Sequence, residues 1–334
     1  MIVRFGPWSV RLAPRAVVVT LALLLLAAAV SALALSTGEI TVPIPDILAA
    51  LTGEGSPIAE LIVANLRAPR LVTGLLVGAA FGLGGAIFQS LTRNPLGSPD
   101  VIGLTAGAST GGILMVVAGG AAWQIAAGSL LGCLLSAALI YAVAYRGGVA
   151  GHRLVLVGIG AGALLLAVDS YLLTRANLND AANAGAWLTG SLSGRGWDHA
   201  IPMGLALAVL LPVCAVLARP LRMMEMGDDA ARAAGIRVER VRGAALVAGV
   251  LLAGAATAAA GPVMFVALAA PQLARRMTRG AGLSLPASAL TGAVLLALSD
   301  LIAMRVIAPS ELPVGVVTAA LGGAYLAFLL RRDR

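Results

Sequence analysis

Lysine is absent from this sequence, and charged residues of any kind are scarce. All 23 basic residues are arginines, and charged side chains make up only 11% of the 334 residues. A phosphate-binding loop of the Walker type needs a lysine, so the chain cannot hold ATP in that way. If the protein works with ATP, a partner binds and hydrolyses it. We therefore expect no cofactor in this chain and no enzymatic activity of its own.

Cysteine and histidine are also rare, with two of each. Cys133 and Cys214 both lie inside apolar runs, where a cysteine behaves as a small buried residue. His152 and His199 lie in or beside loops, in a pattern that does not suggest a metal pair. The sequence contains no CxxC motif, and its one GxSxG match, residues 107–111, lies within an apolar run. These absences predict no disulfide, no metal site and no hydrolase or oxidoreductase centre.

Apolar residues dominate, at 60% of the chain, with a mean hydropathy of +0.97. A soluble domain could not cover its surface at this composition, and several apolar runs are long enough to cross a bilayer. We expect an all-α polytopic membrane protein with about ten transmembrane helices in a single domain, residues 1–334. The predicted spans cover about 16–35, 66–91, 101–117, a fourth ending near 145, 154–173, 200–217, 243–260, a short and partly re-entrant 263–273, 283–303 and 312–330.

The first apolar run has two interpretations. Ala32, Leu33 and Ala34 resemble a signal-peptidase site, which would make the run a cleaved signal peptide. At 20 residues the run is long for such a peptide, and we favour a retained first span.

The arginines predict the orientation in the membrane. With both termini in the cytoplasm, 18 of the 23 fall on cytoplasmic segments, as the positive-inside rule requires. The protein is therefore expected to be a multi-pass protein of the cytoplasmic (inner) membrane. Arg67, Arg70 and Arg305 fall instead at outer ends of spans. They either reach lipid phosphates or form a basic rim that meets an acidic partner.

A polar stretch, residues 219–242, interrupts the apolar pattern. Gly227 and Asp228 offer a turn and a helix N-cap. The next residues, Asp229 to Ala234, are good helix formers that begin with negative charge. Gly235 stands where a glycine ends a helix. This punctuation predicts a short capped helix, which is either a docking site for a soluble partner or part of an ordinary basic loop.

Two acidic residues lie inside apolar runs. Asp169 and Asp300 fall near the outer ends of the fifth and ninth spans. In a proton-coupled secondary transporter such carboxylates would carry the coupling ion; near a span end, a hydrated or arginine-paired carboxylate is commoner. A non-transporting scaffold is a third possibility, which the Asn94-Pro95 turn and the glycine-lined spans disfavour.

Glycines recur every four residues in two of the spans. Gly74, Gly78 and Gly82 do so in the second span, and Gly107 and Gly111 in the third. Small residues at this spacing predict helices whose backbones approach closely.

Five motifs together resemble the permease subunits of the ABC importers for iron-siderophores, haem and cobalamin. The resemblance covers nearly the whole chain after the first span and implies the type II permease fold of ABC importers. The motifs are LRAPR from Leu66, GAIFQSLTRNPLGSPDVIGLTAGA from Gly85, MGDDAARAAGI from Met226, FVALAAPQLARR from Phe265 and ELPVGVVTAALGG from Glu311.

The resemblance implies three groups of functional residues. Residues that couple the permease to its ATPase would be Gly227, Asp228, Asp229, Ala230, Ala231, Arg232 and Gly235. Residues that dock the substrate-binding protein would be Arg67, Arg70 and Arg305. Residues of the cytoplasmic gate would be Asn94, Leu96, Gly151 and His152. The sequence departs from the family in two places: the arginine position of the rim falls on Met304, and the usual Pro-His pair is Pro271-Gln272.

The resemblance also implies a function and a set of partners. The chain would carry a ferric siderophore, with an enterobactin-like catecholate first, across the cytoplasmic membrane. Haem and cobalamin are alternative cargoes. The partners would be an ATP-binding cassette ATPase, a second and homologous permease subunit, and an extracytoplasmic siderophore-binding protein. Apart from these and the membrane lipid, no nucleic acid is expected to bind.

Overall fold

A computed structural model describes residues 2–5, 8–11, 14–38, 40–145, 151–280, 282–307 and 310–332 of the chain. These residues are helical apart from loops and a two-stranded antiparallel hairpin at the start. The predicted all-α class is confirmed. The elements are β1 Ile2–Phe5, β2 Trp8–Arg11, α1 Pro14–Ser36, α2 Ile44–Thr52, α3 Pro57–Glu60, a π-helical segment Leu61–Arg67, α4 Ala68–Thr92, α5 Leu104–Val117, α6 Ala122–Ala144, α7 Gly151–Arg175, α8 Leu178–Leu188, α9 Trp197–Met224, α10 Asp228–Ala233, α11 Val238–Ala260, α12 Val266–Thr278, α13 Leu285–Ala303 and α14 Val314–Arg332.

Each of the ten predicted spans falls on a helix, but the helices are unequal. Over the described ranges, seven are long and apolar enough to cross a membrane: α1, the continuous helix Pro57–Thr92 that contains α4, α6, α7, α9, α11 and α13. The apolar helix α5 and the apolar part of α14, Val314–Phe328, are shorter. The eighth predicted span, α12, has only 13 residues and contains Pro271. The predicted number of about ten is therefore approximate.

Two connecting segments have more structure than the sequence indicated. The polar segment before the sixth span contains α8, whose N-cap Asn177 accepts a hydrogen bond from the Asp180 amide. The outer segment after the first span contains α2 and α3. The basic loop predicted before the fifth span lies partly in residues 146–150, outside the described residues, and α7 begins at Gly151.

Helices α4 and α13 meet backbone to backbone at the centre of the fold. A Cβ atom at Gly78 would overlap the carbonyl oxygen of Gly292, and one at Gly82 would overlap that of Ser288. Only glycine permits this approach, so the glycine spacing predicted from the sequence is confirmed as a packing face. Phe81, on the same helix, is fully buried.

A second glycine contact joins α5 to α6. Gly107 faces the carbonyl oxygen of Gly132, and Gly111 faces that of Gly128. The spacing in the third predicted span therefore also marks a close helix pair. Together these contacts hold fixed the helices that carry the loops described next.

Candidate coupling helix, gate loop and outer rim

The short helix α10 forms where the sequence punctuation predicted it, one residue earlier than expected. It spans Asp228–Ala233 with Gly227 as its N-cap. The Asp228 carboxylate makes no capping hydrogen bond, so its predicted capping role is wrong. Gly235 follows the helix in the left-handed region, with φ of 81°. That is the position at which a glycine commonly ends a helix.

One face of α10 packs against neighbouring residues and the other is exposed. Ala231 is fully buried and packs with Met224 and Val238. The exposed residues of the predicted coupling set are Asp229, Ala230, Arg232 and Gly235. Asp229 and Arg232 pair with each other on this outer face, so the helix presents a compact surface beside α9 and α11.

Asp228 connects α10 to two other elements. Its Oδ2 accepts a hydrogen bond of 2.7 Å from Arg242 of α11, and its Oδ1 accepts one from Arg93 at the end of α4. Partial burial by itself raises the pKa of Asp228, but the hydrogen bonds and charges of the two arginines outweigh it. The pKa is therefore held below the ordinary range, and the carboxylate is charged at neutral pH.

Arg93 ends α4 and begins the loop of residues 94–97. It adopts left-handed φ and ψ of 50° and 34°, which is uncommon for a residue with a side chain. Its Nε donates to the carbonyl oxygen of Met224, at the end of α9, over 3.0 Å. From the sequence, Arg93 counted only as a cytoplasmic charge; its contacts with α9 and α10 were not foreseen.

The 94–97 loop is held in a defined turn. The Asn94 side chain accepts a hydrogen bond of 2.9 Å from the Leu96 amide, which is the turn that asparagine favours. Leu96 itself is 50% exposed. On the other side of the loop, Gln272 of α12 donates to the carbonyl oxygen of Pro95 over 2.7 Å.

Two of the predicted gate elements lie side by side. A Cβ atom at Gly151 would stand 2.9 Å from the Cα of Thr92, so α7 begins directly against the end of α4. His152, the next residue, is exposed. The structure thus brings Gly151 next to the helix end from which the Asn94 and Leu96 loop emerges.

Two further polar residues tie α4 to α12. Gln89 is 3% exposed, and its amide donates to the carbonyl oxygen of Leu268 over 3.0 Å. Its amide oxygen accepts a hydrogen bond from Arg275. Sequence reasoning assigned no role to Gln89, although a lone glutamine within an apolar run was a signal that could have found it.

At the other end of α4, Arg70 forms ion pairs with acidic residues of the same chain. It contacts Asp300 of α13 through two hydrogen bonds of 2.9 Å, and its Nη1 lies 2.9 Å from Glu311. The arginine-paired interpretation of Asp300 is therefore confirmed. This cluster joins α4 to α13 at the end of α4 opposite Arg93.

The other two predicted rim arginines differ in their surroundings. Arg67 donates to the carbonyl oxygens of Leu35 and Ile40, over 2.7 and 2.5 Å. Arg305 is exposed. A cavity of about 550 Å³ opens between these elements; Arg67 and Met304 line it, whereas Arg305 is not among its described lining residues.

A second cavity, of about 630 Å³, lies between α5 and α7. Asp169 and Asp100 both line it. Thr110 donates to Asp169 over 2.5 Å, and Thr105 donates to Asp100 over 2.7 Å. The place of Asp100 in this cavity was not predicted from the sequence.

The described residues form a bundle of membrane-capable helices with an exposed short helix at one end and a charged rim at the other, an arrangement that suits a membrane permease. The chain belongs to the FecCD transport family, which it matches over residues 23–332. The predicted family resemblance is confirmed.

Relatives of this chain are similar over nearly their whole length. The ferric enterobactin transport system permease protein FepG of Escherichia coli K12 is 42% identical to this chain. The alignment covers 96% of this chain and 97% of the length of FepG. The probable siderophore transport system permease protein YfhA of Bacillus subtilis 168 is 35% identical over 100% and 99%. The achromobactin transport system permease protein CbrC of Dickeya dadantii 3937 is 37% identical over 95% and 91%.

A solved structure supports the fold. It is described as an inward-facing conformation of a metal-chelate type ABC transporter, and it superposes with a TM-score of 0.85 over 94% of this chain and 99% of its own. The sequence identity is 24%. The permease fold of ABC importers is therefore confirmed.

Family membership also establishes the class of protein and its cellular location. It is a transporter subunit and not an enzyme, and it is a multi-pass protein of the inner membrane. Permeases of ABC importers work with an ATPase, a substrate-binding protein and a second permease, so partners of these three kinds are implied.

Proposed function

We propose that this chain is a permease subunit of an ATP-driven importer that carries ferric siderophore across the cytoplasmic membrane. The observation that carries the proposal is the exposed helix α10, tied through Asp228 to the end of α4 and its loop. A partner that moves α10 would act directly on that loop. Because the sequence contains no lysine, this chain would not bind ATP through a Walker-type loop, and a partner ATP-binding cassette ATPase would supply the energy.

The ATPase would dock on the exposed face of α10. Asp229, Ala230, Arg232 and Gly235 are available there, while Gly227, Asp228 and Ala231 would hold the helix in place from within. A rigid helix that protrudes from a packed bundle suits the transfer of a rigid-body movement from the ATPase to the spans.

The cytoplasmic gate would consist of Asn94, Leu96, Gly151 and His152. The contact between Gly151 and Thr92 supports this grouping, because it places the start of α7 against the origin of the 94–97 loop. Leu96 is the apolar side chain of that loop that projects outward.

The extracytoplasmic siderophore-binding protein would dock at the outer rim. Arg305 is exposed and available for an acidic partner. Arg70 is held by Asp300 and Glu311, so it would act there as part of a charged cluster. Arg67, bound to two backbone carbonyls, would shape the rim rather than bind the partner.

The complete transporter would contain a second permease, and we expect a homologue rather than an identical copy. Both termini would lie in the cytoplasm, as the arginine distribution predicts. The whole chain, residues 1–334, would form one transmembrane domain with the coupling loop 219–242.

The proposed cargo is a ferric catecholate. The supporting observation is the 42% identity to a permease named for ferric enterobactin. The relative named for achromobactin, at 37%, makes other iron chelates the next cargoes to test. Haem and cobalamin follow these.

The experiment is uptake of radiolabelled iron as a catecholate complex, in cells with and without the gene. It is repeated after ATP depletion with the proton gradient kept. We expect uptake to need both the gene and ATP. Uptake that needs the gene but survives ATP loss would indicate a proton-coupled transporter instead, with Asp169 as the residue to mutate because it lines the second cavity.

A further inference from the structure

We propose that Arg93 is the positioning residue through which α10 sets the 94–97 gate loop. Its partner on α10 is Asp228. The inference rests on the proposed function, since it concerns how a movement at the ATPase surface reaches the gate.

Arg93 stands at the junction of three elements. Its backbone ends α4, its Nε is bound to the last residue of α9, and its guanidinium is paired with the first residue of α10. The loop leaves α4 at this same residue, in a left-handed conformation that costs energy for an arginine. The side-chain contacts therefore hold the backbone where the loop begins.

The far side of the loop has a separate anchor. Gln272 binds the carbonyl oxygen of Pro95, two residues after Arg93. Gln272 belongs to α12, and α12 is fixed to α4 through Gln89 and Arg275. The loop is thus attached on one side to α10, through Arg93, and on the other side to the α4–α12 pair, through Gln272. A displacement of α10 relative to that pair would change the turn that displays Leu96.

Asp228 has two arginine partners, so the same substitution at each arginine compares the two contacts. Arg242 belongs to α11, which follows α10 directly in the chain, and it also binds Glu239 of α11. Arg242 therefore holds α10 to its own neighbour. Of the two arginines that pair with Asp228 in the described part of the chain, Arg93 is the one that joins it to the origin of the proposed gate loop.

The test compares Arg93→Gln with Arg242→Gln, and with Arg240→Gln as a control at an exposed arginine of α11. Each variant is made in a chain carrying Leu96→Cys, Cys133→Ala and Cys214→Ala. The native cysteines are both buried, and with both replaced the introduced thiol is the only cysteine of this chain, on which labelling is read after the subunits are separated. The full complex with its ATPase, second permease and binding protein is reconstituted in liposomes. Labelling of the introduced thiol by a maleimide is measured with and without ATP.

The expected result is a selective loss in Arg93→Gln. The ratio of the labelling rates with and without ATP should fall about fivefold or more, since coupling between sites commonly amounts to about 5–150-fold. ATP hydrolysis should continue. Arg242→Gln and Arg240→Gln should keep the ratio found with arginine at all three positions. Arg93→Lys, which keeps the charge but not the fork of donors, should give an intermediate ratio and serves if Arg93→Gln does not assemble.

Two results would overturn the link. One is an unchanged labelling ratio in Arg93→Gln; the other is an equal loss in Arg242→Gln, which would mean that Asp228 merely holds α10 in place. The wild-type complex separates this link from the proposed function. If it shows no ATP-dependent import of ferric catecholate, of other iron chelates, of haem or of cobalamin, the importer proposal fails and the link with it. If it imports normally and Arg93→Gln keeps the ratio, the link alone fails.

Discussion

Arg70 and Asp300 join α4 to α13 through two parallel hydrogen bonds, Nε to Oδ2 and Nη2 to Oδ1, each 2.9 Å long. Their side chains are only 14% and 8% exposed. A two-pronged pair of this kind fixes geometry as well as charge. A binding protein that used Arg70 would have to share it with Asp300, so the outer rim is part of the scaffold and not only a docking surface.

The first prediction concerns this pair. Asp300→Ala should destabilise the protein by about 3 kcal/mol, because it leaves a largely buried arginine with only Glu311 as its partner. The measurement is chemical unfolding in detergent. The double variant Arg70→Ala/Asp300→Ala should lose less than Asp300→Ala alone. Equal stability of Asp300→Ala and the wild type would show that the pair does not hold α4 to α13.

The second prediction concerns Arg305. Arg305→Glu should weaken association with the siderophore-binding protein about tenfold at low salt and much less at high salt, because rim charges mainly steer encounter. Surface plasmon resonance at two ionic strengths measures both. Arg175→Glu, at the outer end of α7, is the control. A similar loss in Arg175→Glu would indicate a general charge effect and remove Arg305 from the docking site.

The third prediction concerns the pH dependence of the Asp228 ion pairs. The pKa of Asp228 is lowered in the fold, so its stabilising contribution is fully present above the unfolded pKa of about 3.9 and is lost as pH falls through the lower folded value. Asp228→Asn should therefore be less stable than the wild type by a constant amount between pH 7 and pH 5. Below about pH 4, thermal unfolding in detergent should show the difference shrinking. A difference that shrinks between pH 7 and pH 5 would contradict this assignment.

The fourth prediction concerns the glycine contact between α4 and α13. Gly82→Ala should destabilise the fold by about 1–3 kcal/mol, because its Cβ would overlap a backbone carbonyl that cannot rotate away. Gly160→Ala is the matched helical control, with no atom within 4 Å of the added Cβ. It should be neutral or stabilising by up to about 1 kcal/mol. If both variants had the same unfolding midpoint, close approach at Gly82 would not be a structural requirement.

The sequence was most informative where the physics is local. Glycine spacing predicted the packing face of α4, and the punctuation around Gly227 and Gly235 predicted a helix of about the right length. Both signals lie within a few residues of what they specify. Helix α8 was missed because its Asn177 N-cap was not recognised within a polar segment.

Contacts between residues far apart in the chain could not be predicted from the sequence. Arg93 and Asp228 are separated by 135 positions, and Arg70 and Asp300 by 230. Pairing of Asp300 with an arginine could be anticipated as a class, since a buried charge needs a partner, but the identity of that arginine could not. The same holds for Gln272, whose partner is a backbone carbonyl of another loop.

Helix α4 connects the proposed outer rim with the proposed gate loop, so binding at one end can affect binding at the other. Arg70 and Arg93 lie 23 residues apart on one helix, which separates the outer rim from the gate loop by about 35 Å. Because α4 contacts α13 backbone to backbone, the two helices would move as one rigid unit, so a displacement at one end of α4 would be accompanied by a displacement at the other. Thermodynamic linkage then works in both directions: if the siderophore-binding protein strengthens binding of the ATPase, the ATPase strengthens binding of that protein by the same factor.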